Sequence, residues 1–220
     1  YKINADGETL TITGYNKFDD AIVIPSEIDG KKVTVIGGYA FSGCSGLTQI
    51  VIPDSVTGIG FNAFYGCSGL TQIVIPDSVT SIDGYAFYGC SGLTQIVIPD
   101  SVTSIAGYAF YGCNNLKTVT IENGSKFNDE AFVGCDSITT IRGLTGSYAE
   151  VFAKKKGYTF EPIGTYDVPE YSYKINADGE TLTITGYNKF DDAIVIPSEI
   201  DGKKVTVIGG YAFSGCSGLT

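Results

Sequence analysis

The strongest constraint on the fold is an internal repeat with a period of 23 residues. The segment AFSGCSGLTQIVIPDSVTGIGFN begins at Ala40, and close copies of it begin at Ala63 and Ala86. A 22-residue unit follows from Ala109, and a fifth unit opens at Ala131. A unit this short cannot bury its own apolar side, so the copies must stack to enclose a shared core. The chain is therefore predicted to form a solenoid.

Each repeat carries the pattern of a short β-strand followed by a turn. Leu47, Ile50 and Ile52 follow the L-x-x-L-x-L spacing of a leucine-rich repeat, and the two isoleucines alternate with other side chains as in a strand. Pro53 has no N–H to donate and is expected to end the strand. Stacked coils then pair their strands about 4.8 Å apart. The predicted fold class is a mainly β leucine-rich repeat solenoid with one parallel β-sheet and short turns.

Both ends of the repeat array have the signature of a capping element. Residues 1–14 form two short alternating runs around an Asp-Gly pair, which predicts a β-hairpin. At the other end, Ser147 precedes Glu150 by three residues, the spacing of a capping box at the start of a helix. Three lysines at 154–156 and then Gly157 suit the end of that helix. We expect an N-terminal hairpin cap and a short C-terminal capping helix.

A second, incomplete copy follows the first array. Its 48 residues repeat the start of the chain without a single difference, which folding does not require because solenoid surfaces tolerate substitution. The identity indicates either a recent duplication in a longer natural array or an end introduced when the chain was cut. We expect five parts in chain order: an N-terminal cap with a divergent repeat (1–39), the repeats (40–143), a C-terminal cap (144–163), a linker (164–172) and a truncated copy of residues 1–48 (173–220).

The cysteines all occupy one position of the repeat, in the pattern G-C-x-x-Leu/Ile. Stacked equivalents point in the same direction and lie about 4.8 Å apart, whereas a disulfide prefers Cβ atoms about 3.8 Å apart. The spacing favours a ladder of buried free thiols that act as small apolar groups, with a disulfide and a metal site as the alternatives. The set is Cys44, Cys67, Cys90, Cys113, Cys135 and Cys216.

Composition argues against several classes of function. The chain has no histidine and a formal net charge of −10. It therefore lacks Ser–His and Cys–His nucleophile pairs, and its charge argues against binding nucleic acid or anionic membranes. No apolar run exceeds five residues, so no membrane insertion is expected. Successive coils also repeat the same groups, whereas acid–base catalysis needs different groups in different environments. We expect no enzyme activity and no cofactor.

Aspartates recur once per coil in the turn after the strand. Asp54, Asp77 and Asp100 are expected to form a row of like charges about 5 Å apart. Turn formation is an adequate role for them, and we expect Asp54 and Ser55 to hydrogen bond to local backbone. No DxDxDG loop is present, so we expect no metal site, with a weak calcium site along the row as the alternative.

Two sets of repeated side chains outside the predicted core are candidates for a contact surface. One lies on the strand face, expected to be concave and neutral, where it either only stabilises the sheet or binds an extended partner. The other consists of tyrosine columns beside each Ala-Phe pair. These side chains either only cover the turn between coils or stack on sugars or protein. The strand-face set is Gln49, Gln72, Gln95, Val51, Val74 and Val97; the tyrosine columns are Tyr65, Tyr88 and Tyr111, and Tyr85 and Tyr108 with Tyr39 and Asn62 at equivalent positions.

The repeated pattern IPDSVTSIxxxAFxGCxxLxxI resembles the BspA-like leucine-rich repeat family of bacterial surface proteins. The resemblance covers about Leu10 to Ile163 and departs from better-known leucine-rich repeats in lacking their asparagine ladder. It implies an extracellular bacterial protein, secreted or attached to the cell surface, that binds host matrix, host receptors or other bacteria.

Two hypotheses about function follow. The first is a non-enzymatic recognition or adhesion module that binds a host or microbial surface protein or glycan through the solenoid surface. The alternative is a structural spacer or self-assembling tandem-repeat array, with head-to-tail or swapped contacts through the duplicated 48-residue segment.

Overall fold

The computed structural model describes residues 1–15, 19–124, 126–165, 171–188 and 194–214. Within these ranges the chain forms a β-solenoid whose coils stack through parallel strands, with one short helix, and this confirms the predicted fold class. The elements are β1 (Lys2–Ile3), β2 (Thr9–Ile12), β3 (Ala21–Val23), β4 (Glu27–Ile28), β5 (Lys31–Ile36), β6 (Gln49–Val51), β7 (Gly58–Ile59), β8 (Ser81–Ile82), β9 (Gln95–Ile98), β10 (Ser104–Ile105), β11 (Thr118–Ile121), β12 (Thr140–Thr145), α1 (Tyr148–Lys156), β13 (Thr159–Thr165), β14 (Tyr171–Ile175), β15 (Thr181–Tyr187), β16 (Glu199–Ile200) and β17 (Lys203–Ile208).

One side of the solenoid is a ladder of short strands that begins at the N-terminal hairpin. Strands β1 and β2 pair antiparallel, which confirms the predicted hairpin. The ladder then continues in parallel through β5, β7, β8 and β10. Gly58, Ser81 and Ser104 are in register, so equivalent residues of successive coils face the same direction.

A second side of the solenoid carries strands that form two parallel sheets. Strand β3 pairs with β6, and a separate sheet has the order β9-β11-β12-β13. Residues 72–75 lie between these sheets and form no strand, although their sequence QIVI is identical to that of 49–52 and 95–98. Because the residues are the same, strand propensity does not account for the break, and pairing with neighbouring coils decides it. The prediction of one continuous sheet is wrong at this coil.

A column of stacked phenylalanine rings forms the centre of the core. Neighbouring ring centroids are 5.1–5.3 Å apart, with interplanar angles of 4–9°. The backbone keeps the coils in register, since the Phe64 N–H donates to the Ala86 carbonyl at 2.7 Å and the same bond recurs along the column. The apolar residues of one repeat are therefore buried by its neighbours. The column consists of Phe41, Phe64, Phe87, Phe110 and Phe132.

Free thiols form a ladder along this core, as predicted. Of the described cysteines, Cys44 is partly exposed and the other four are buried, and all are free; Cys216 lies outside the described residues. Burial raises the pKa of the Cys67 thiol to about 12. Each buried thiol also donates a hydrogen bond to a phenylalanine carbonyl of the previous coil, which the sequence pattern did not indicate. The pairs are Cys67–Phe41 at 3.1 Å, Cys90–Phe64 at 3.2 Å, Cys113–Phe87 at 3.2 Å and Cys135–Phe110 at 2.9 Å.

The serine of each DSV turn links neighbouring coils. Ser78 Oγ donates to the carbonyl oxygen of Val56, one coil earlier, at 2.6 Å. Ser55 and Ser101 make equivalent bonds at 2.7 and 2.8 Å, and Asn123 donates to a carbonyl in the same way in the next coil. The expectation that Ser55 bonds to its own turn is wrong, because the backbone carbonyls beside the core take their donor from the next coil.

Helix α1 closes the C-terminal end of the array. It ends at Gly157, whose φ of 75° is the left-handed conformation that glycine adopts readily, and this confirms the predicted helix end. The predicted capping box does not form. The Ser147 hydroxyl makes no cap hydrogen bond, and Glu150 accepts one at 2.7 Å from the N–H of Gly146 instead of from the N–H of Ser147. The Glu150 carboxylate therefore binds the residue that precedes the N-cap.

The second copy forms a small sheet of its own, in the order β14-β15-β17-β16. Leu182 and Ile184 of β15 are buried and pack with Tyr171 and Ala212. Tyr171 lies in the segment predicted as a linker, and its hydroxyl donates to the Val195 carbonyl at 3.0 Å. Strands β13 and β14 therefore extend into the two ends of that segment.

Candidate functional site

Tyr65, Tyr88 and Tyr111 form a stacked column beside the turn that follows each Ala-Phe pair. Their ring centroids are 4.7 and 5.1 Å apart, and the interplanar angles are 9° and 10°. Neighbouring rings cover both faces of Tyr88, so this ring presents its edge and its hydroxyl, and a sugar has no free face of Tyr88 to stack on. Among the described residues, these three hydroxyls have no hydrogen-bond partner.

A second column lies just before the Ala-Phe pairs. Tyr85 and Tyr108 stack there at 5.4 Å and 10°. Asn62 does not present its side chain in this column as expected, because the side chain is buried and its Oδ1 has no partner in the described structure. Phe61 takes the place instead, with its ring 5.8 Å from Tyr39 and 5.7 Å from Tyr85 in edge-to-face geometry. The signal in the sequence was the Phe-Asn pair where neighbouring coils have Gly-Tyr.

The two columns touch and form one surface. The Tyr85 and Tyr88 centroids are 5.9 Å apart, and those of Tyr108 and Tyr111 are 6.1 Å apart. At the C-terminal end, the negative charge of Glu130 and a hydrogen bond to it raise the pKa of Tyr108. We call this set the aromatic surface: Tyr39, Phe61, Tyr65, Tyr85, Tyr88, Tyr108 and Tyr111.

Three tyrosines of the aromatic surface have a left-handed backbone. The φ angle is 60° at Tyr39, 57° at Tyr85 and 62° at Tyr108. This conformation costs a residue with a side chain roughly 1–2 kcal/mol, and glycine or asparagine adopts it more readily. Asn62 has φ of 56° at the equivalent position, so the turn accepts asparagine. Tyrosine nevertheless occupies three of these four positions.

A shallow groove of about 470 Å³ runs beside Tyr88 and Tyr111 and crosses three coils. Three of its lining residues are glycines with φ between 67° and 73°, so no side chain covers the backbone there. The sequence analysis missed this groove, although the glycine before every cysteine was a visible signal. We call it the glycine groove, lined by Tyr88, Tyr111, Gly89, Gly112, Gly134, Ser91, Asn114 and Asp136.

The other predicted set lies on the strand face and does not contact the aromatic surface through rings or hydrogen bonds within the described ranges. We call it the Gln/Val surface: Gln49, Gln72, Gln95, Val51, Val74 and Val97. All six side chains are exposed, and Val74, at the break between the sheets, is the most exposed of the three valines of this surface at 78%, against 56% for Val51 and 45% for Val97.

The aspartate row does not form a metal centre in the part of the chain that the structure describes. Asp54, Asp77 and Asp100 are exposed. No group of three or more cysteine, aspartate or glutamate side chains in those ranges is arranged to hold a metal ion. The calcium alternative therefore has no geometric support there.

Stacked coils with this motif define the chain as a leucine-rich repeat protein. The family model described as "BspA type Leucine rich repeat region" matches residues 12–147 in six copies. The chain belongs to this family, as the repeat motif indicated. No curated protein sequence shows significant similarity to the chain.

The chain is similar to several solved structures, and two of them, with TM-scores above 0.5, share its fold. The leucine-rich repeat protein TpLRR of T. pallidum is 36% identical with a TM-score of 0.62, over 64% of this chain and 67% of that one. The pneumococcal vaccine antigen PcpA is 19% identical with a TM-score of 0.53, over 72% and 44%, which shows the fold alone. A leucine-rich cell surface protein from Faecalibacterium prausnitzii is 27% identical with a TM-score of 0.48, over 100% and 66%. The chain thus spans about two thirds or less of these proteins. No helix in the described ranges has the length and apolar character needed to cross a bilayer.

Proposed function

We propose that the chain is a non-enzymatic recognition module of a bacterial cell-surface or secreted protein, and that it binds a host or microbial protein or glycan. Membership of the BspA-type family supports the extracellular location. The observation that carries the binding proposal is the aromatic surface, where tyrosine is kept at left-handed positions that disfavour it. Tyrosine provides a large, rigid contact area with little loss of conformational entropy on binding.

The Gln/Val surface is a second contact surface within the same proposal. Its side chains are neutral and regularly spaced, and the strand face of a solenoid commonly binds extended partners. An experiment must therefore separate the two surfaces. Because Tyr88 and Gln72 lie on different surfaces, each serves as the control for the other.

The test measures binding to a panel of immobilised matrix proteins, bacterial surface proteins and glycans by biolayer interferometry. We expect saturable binding of the wild type to at least one of them, weakened at least tenfold by Tyr88→Ala combined with Tyr111→Ala. Gln72→Ala combined with Gln95→Ala should change the binding affinity less than threefold. Both double variants should keep the wild-type circular dichroism spectrum. Loss of binding in the glutamine variant alone would move the site to the Gln/Val surface, and no saturable binding of the wild type would count against a recognition module.

Self-association through the second copy is the other candidate function. Identical residues are buried in the first copy and exposed in the second: Ile24 is 4% and Ile36 0% exposed, whereas Ile196 is 41% and Ile208 48% exposed. The coil that begins at Ala40 follows these residues in the first copy. An exposed apolar face of this kind favours burial, and contact with another molecule is one way to achieve it.

Light scattering over a range of protein concentrations tests this candidate. We expect the mass to rise with concentration and Ile208→Ser to reduce the rise. Ile175→Ser is the matched control, since Ile175 and its counterpart Ile3 are exposed in both copies. A mass that stays monomeric at all concentrations would rule out self-association.

A further inference from the structure

We propose that the glycine groove binds a neutral, linear polysaccharide along the solenoid axis, with one sugar unit per coil. The inference rests on the proposed function and names the ligand class of the same surface. It depends on three properties of the groove: its repeat distance, its polar groups and its charge.

The repeat distance of the groove suits a chain of sugars better than a polypeptide. Equivalent rings recur every 4.7 Å between Tyr65 and Tyr88 and every 5.1 Å between Tyr88 and Tyr111. An extended 1,4-linked pyranose chain advances by nearly this distance per sugar. An extended polypeptide advances about 3.3 Å per residue and repeats the same face only every ~6.6 Å, so it loses register with the coils after one step. A polysaccharide can therefore repeat one contact in each coil.

The polar groups of the groove suit a ligand rich in hydroxyls. The hydroxyls of Tyr88 and Tyr111 have no partner among the described residues, and Ser91 and Asn114 add a hydroxyl and an amide. The stacked tyrosines present edges and hydroxyls, so the ligand is held by hydrogen bonds and ring edges. Glycines along the groove allow a sugar to approach the backbone closely.

The charge of the groove and of the chain selects a neutral ligand. Among the described residues, Asp136 is the one carboxylate that lines the groove, and the chain has a net charge of −10. A uronic acid or phosphorylated polymer would be repelled. Glycoside hydrolysis ordinarily needs a pair of carboxylates, so the groove holds the polysaccharide without cleaving it.

The first experiment is isothermal titration of the full chain with neutral 1,4-linked gluco-, manno- and xylo-oligosaccharides from two to six sugars. Because the groove crosses three coils, affinity for at least one series should rise at least tenfold from the disaccharide to the trisaccharide or tetrasaccharide. It should then level off, and the sugars should be recovered uncleaved. No binding by any of the three series, or binding independent of length, would overturn the inference.

The second experiment fills the groove without removing a tyrosine. Gly89→Asn adds a side chain at φ of 67°, where its Cβ would meet the nearest atom at 3.8 Å, so the fold should accept it. Asparagine tolerates this conformation. We expect Gly89→Asn and Tyr88→Ala each to lower the affinity for the tetrasaccharide at least tenfold. The control Gln72→Ala should leave that affinity unchanged.

The outcomes separate the inference from the proposed function. Binding of a protein that is lost in Tyr88→Ala but kept in Gly89→Asn, with no oligosaccharide bound, overturns the inference and keeps the recognition module. Absence of saturable binding of the wild type to any protein, glycan or oligosaccharide overturns both.

Discussion

The Sγ of Cys90 lies 3.2 Å from the carbonyl oxygen of Phe64, in the previous coil, and donates a hydrogen bond to it. Burial raises the pKa of the Cys90 thiol well above its usual value, so the thiol stays protonated and shielded from reagents. In a Cys216→Ser background at pH 8, we expect Ellman's reagent to modify Cys44 alone in the folded chain, and all five remaining thiols after unfolding in guanidinium. Rapid modification of the buried thiols in the folded chain would contradict a closed core.

The serine ladder should contribute measurably to stability. Ser78→Ala removes the 2.6 Å bond to Val56 and leaves that carbonyl without its side-chain donor. We expect a loss of about 1–2 kcal/mol in the free energy of unfolding, measured by urea denaturation. The neighbouring Asp77 is exposed and is the matched control, with an expected change of about 0.5 kcal/mol or less for Asp77→Ala. Equal effects of the two substitutions would mean that the bond between coils adds nothing.

The left-handed backbone at Tyr85 should make asparagine a better replacement there than alanine. Tyr85→Asn relieves about 1 kcal/mol of backbone strain, which offsets part of the roughly 0.5–1.5 kcal/mol lost with each of its ring contacts. We expect Tyr85→Asn to have a free energy of unfolding about 1 kcal/mol higher than that of Tyr85→Ala in urea denaturation. Tyr65→Asn and Tyr65→Ala form the matched control pair, because Tyr65 is not left-handed and asparagine brings no relief of strain there. If Tyr85→Asn is no more stable than Tyr85→Ala, the strain argument fails.

The C-terminal cap should weaken in acid through Asp129. Partial burial by itself raises the pKa of this carboxyl, but hydrogen bonds from Lys155, at 2.6 Å, and from Tyr148 outweigh burial and lower it. A carboxyl whose pKa is lower in the folded state stabilises the fold above its unfolded pKa of about 4, and the stabilisation is lost as the pH falls through the folded value.

Urea denaturation of the wild type and Asp129→Asn from pH 7 to pH 3 measures this effect. We expect the stability difference between them to shrink below about pH 4. A double-mutant cycle with Lys155→Gln at pH 7 should give a coupling of about 0.5 kcal/mol, as for other partly exposed ion pairs. A stability difference that does not change with pH would contradict this role for Asp129.

Local patterns were sufficient to predict the fold class, the hairpin, the capping helix and the ladder of buried free thiols. The period and the Leu47, Ile50, Ile52 spacing repeat in successive coils, so a single arrangement satisfies them all. The tyrosine columns were also visible in the sequence, because equivalent positions of a solenoid must lie above one another. Their role in binding stays a prediction.

Other features emerged only from the contacts between coils. Residues 72–75 form no strand despite a sequence shared with two neighbouring coils, and Phe61 fills a column in which asparagine was expected. The hydroxyl of Ser78 donates its hydrogen bond to a carbonyl of another coil rather than to its own turn. A local sequence specifies which groups a residue carries. It does not specify which neighbouring residue accepts its hydrogen bond or which other rings its aromatic ring contacts. Those choices depend on residues more than twenty positions away, and stacking alone brings them together.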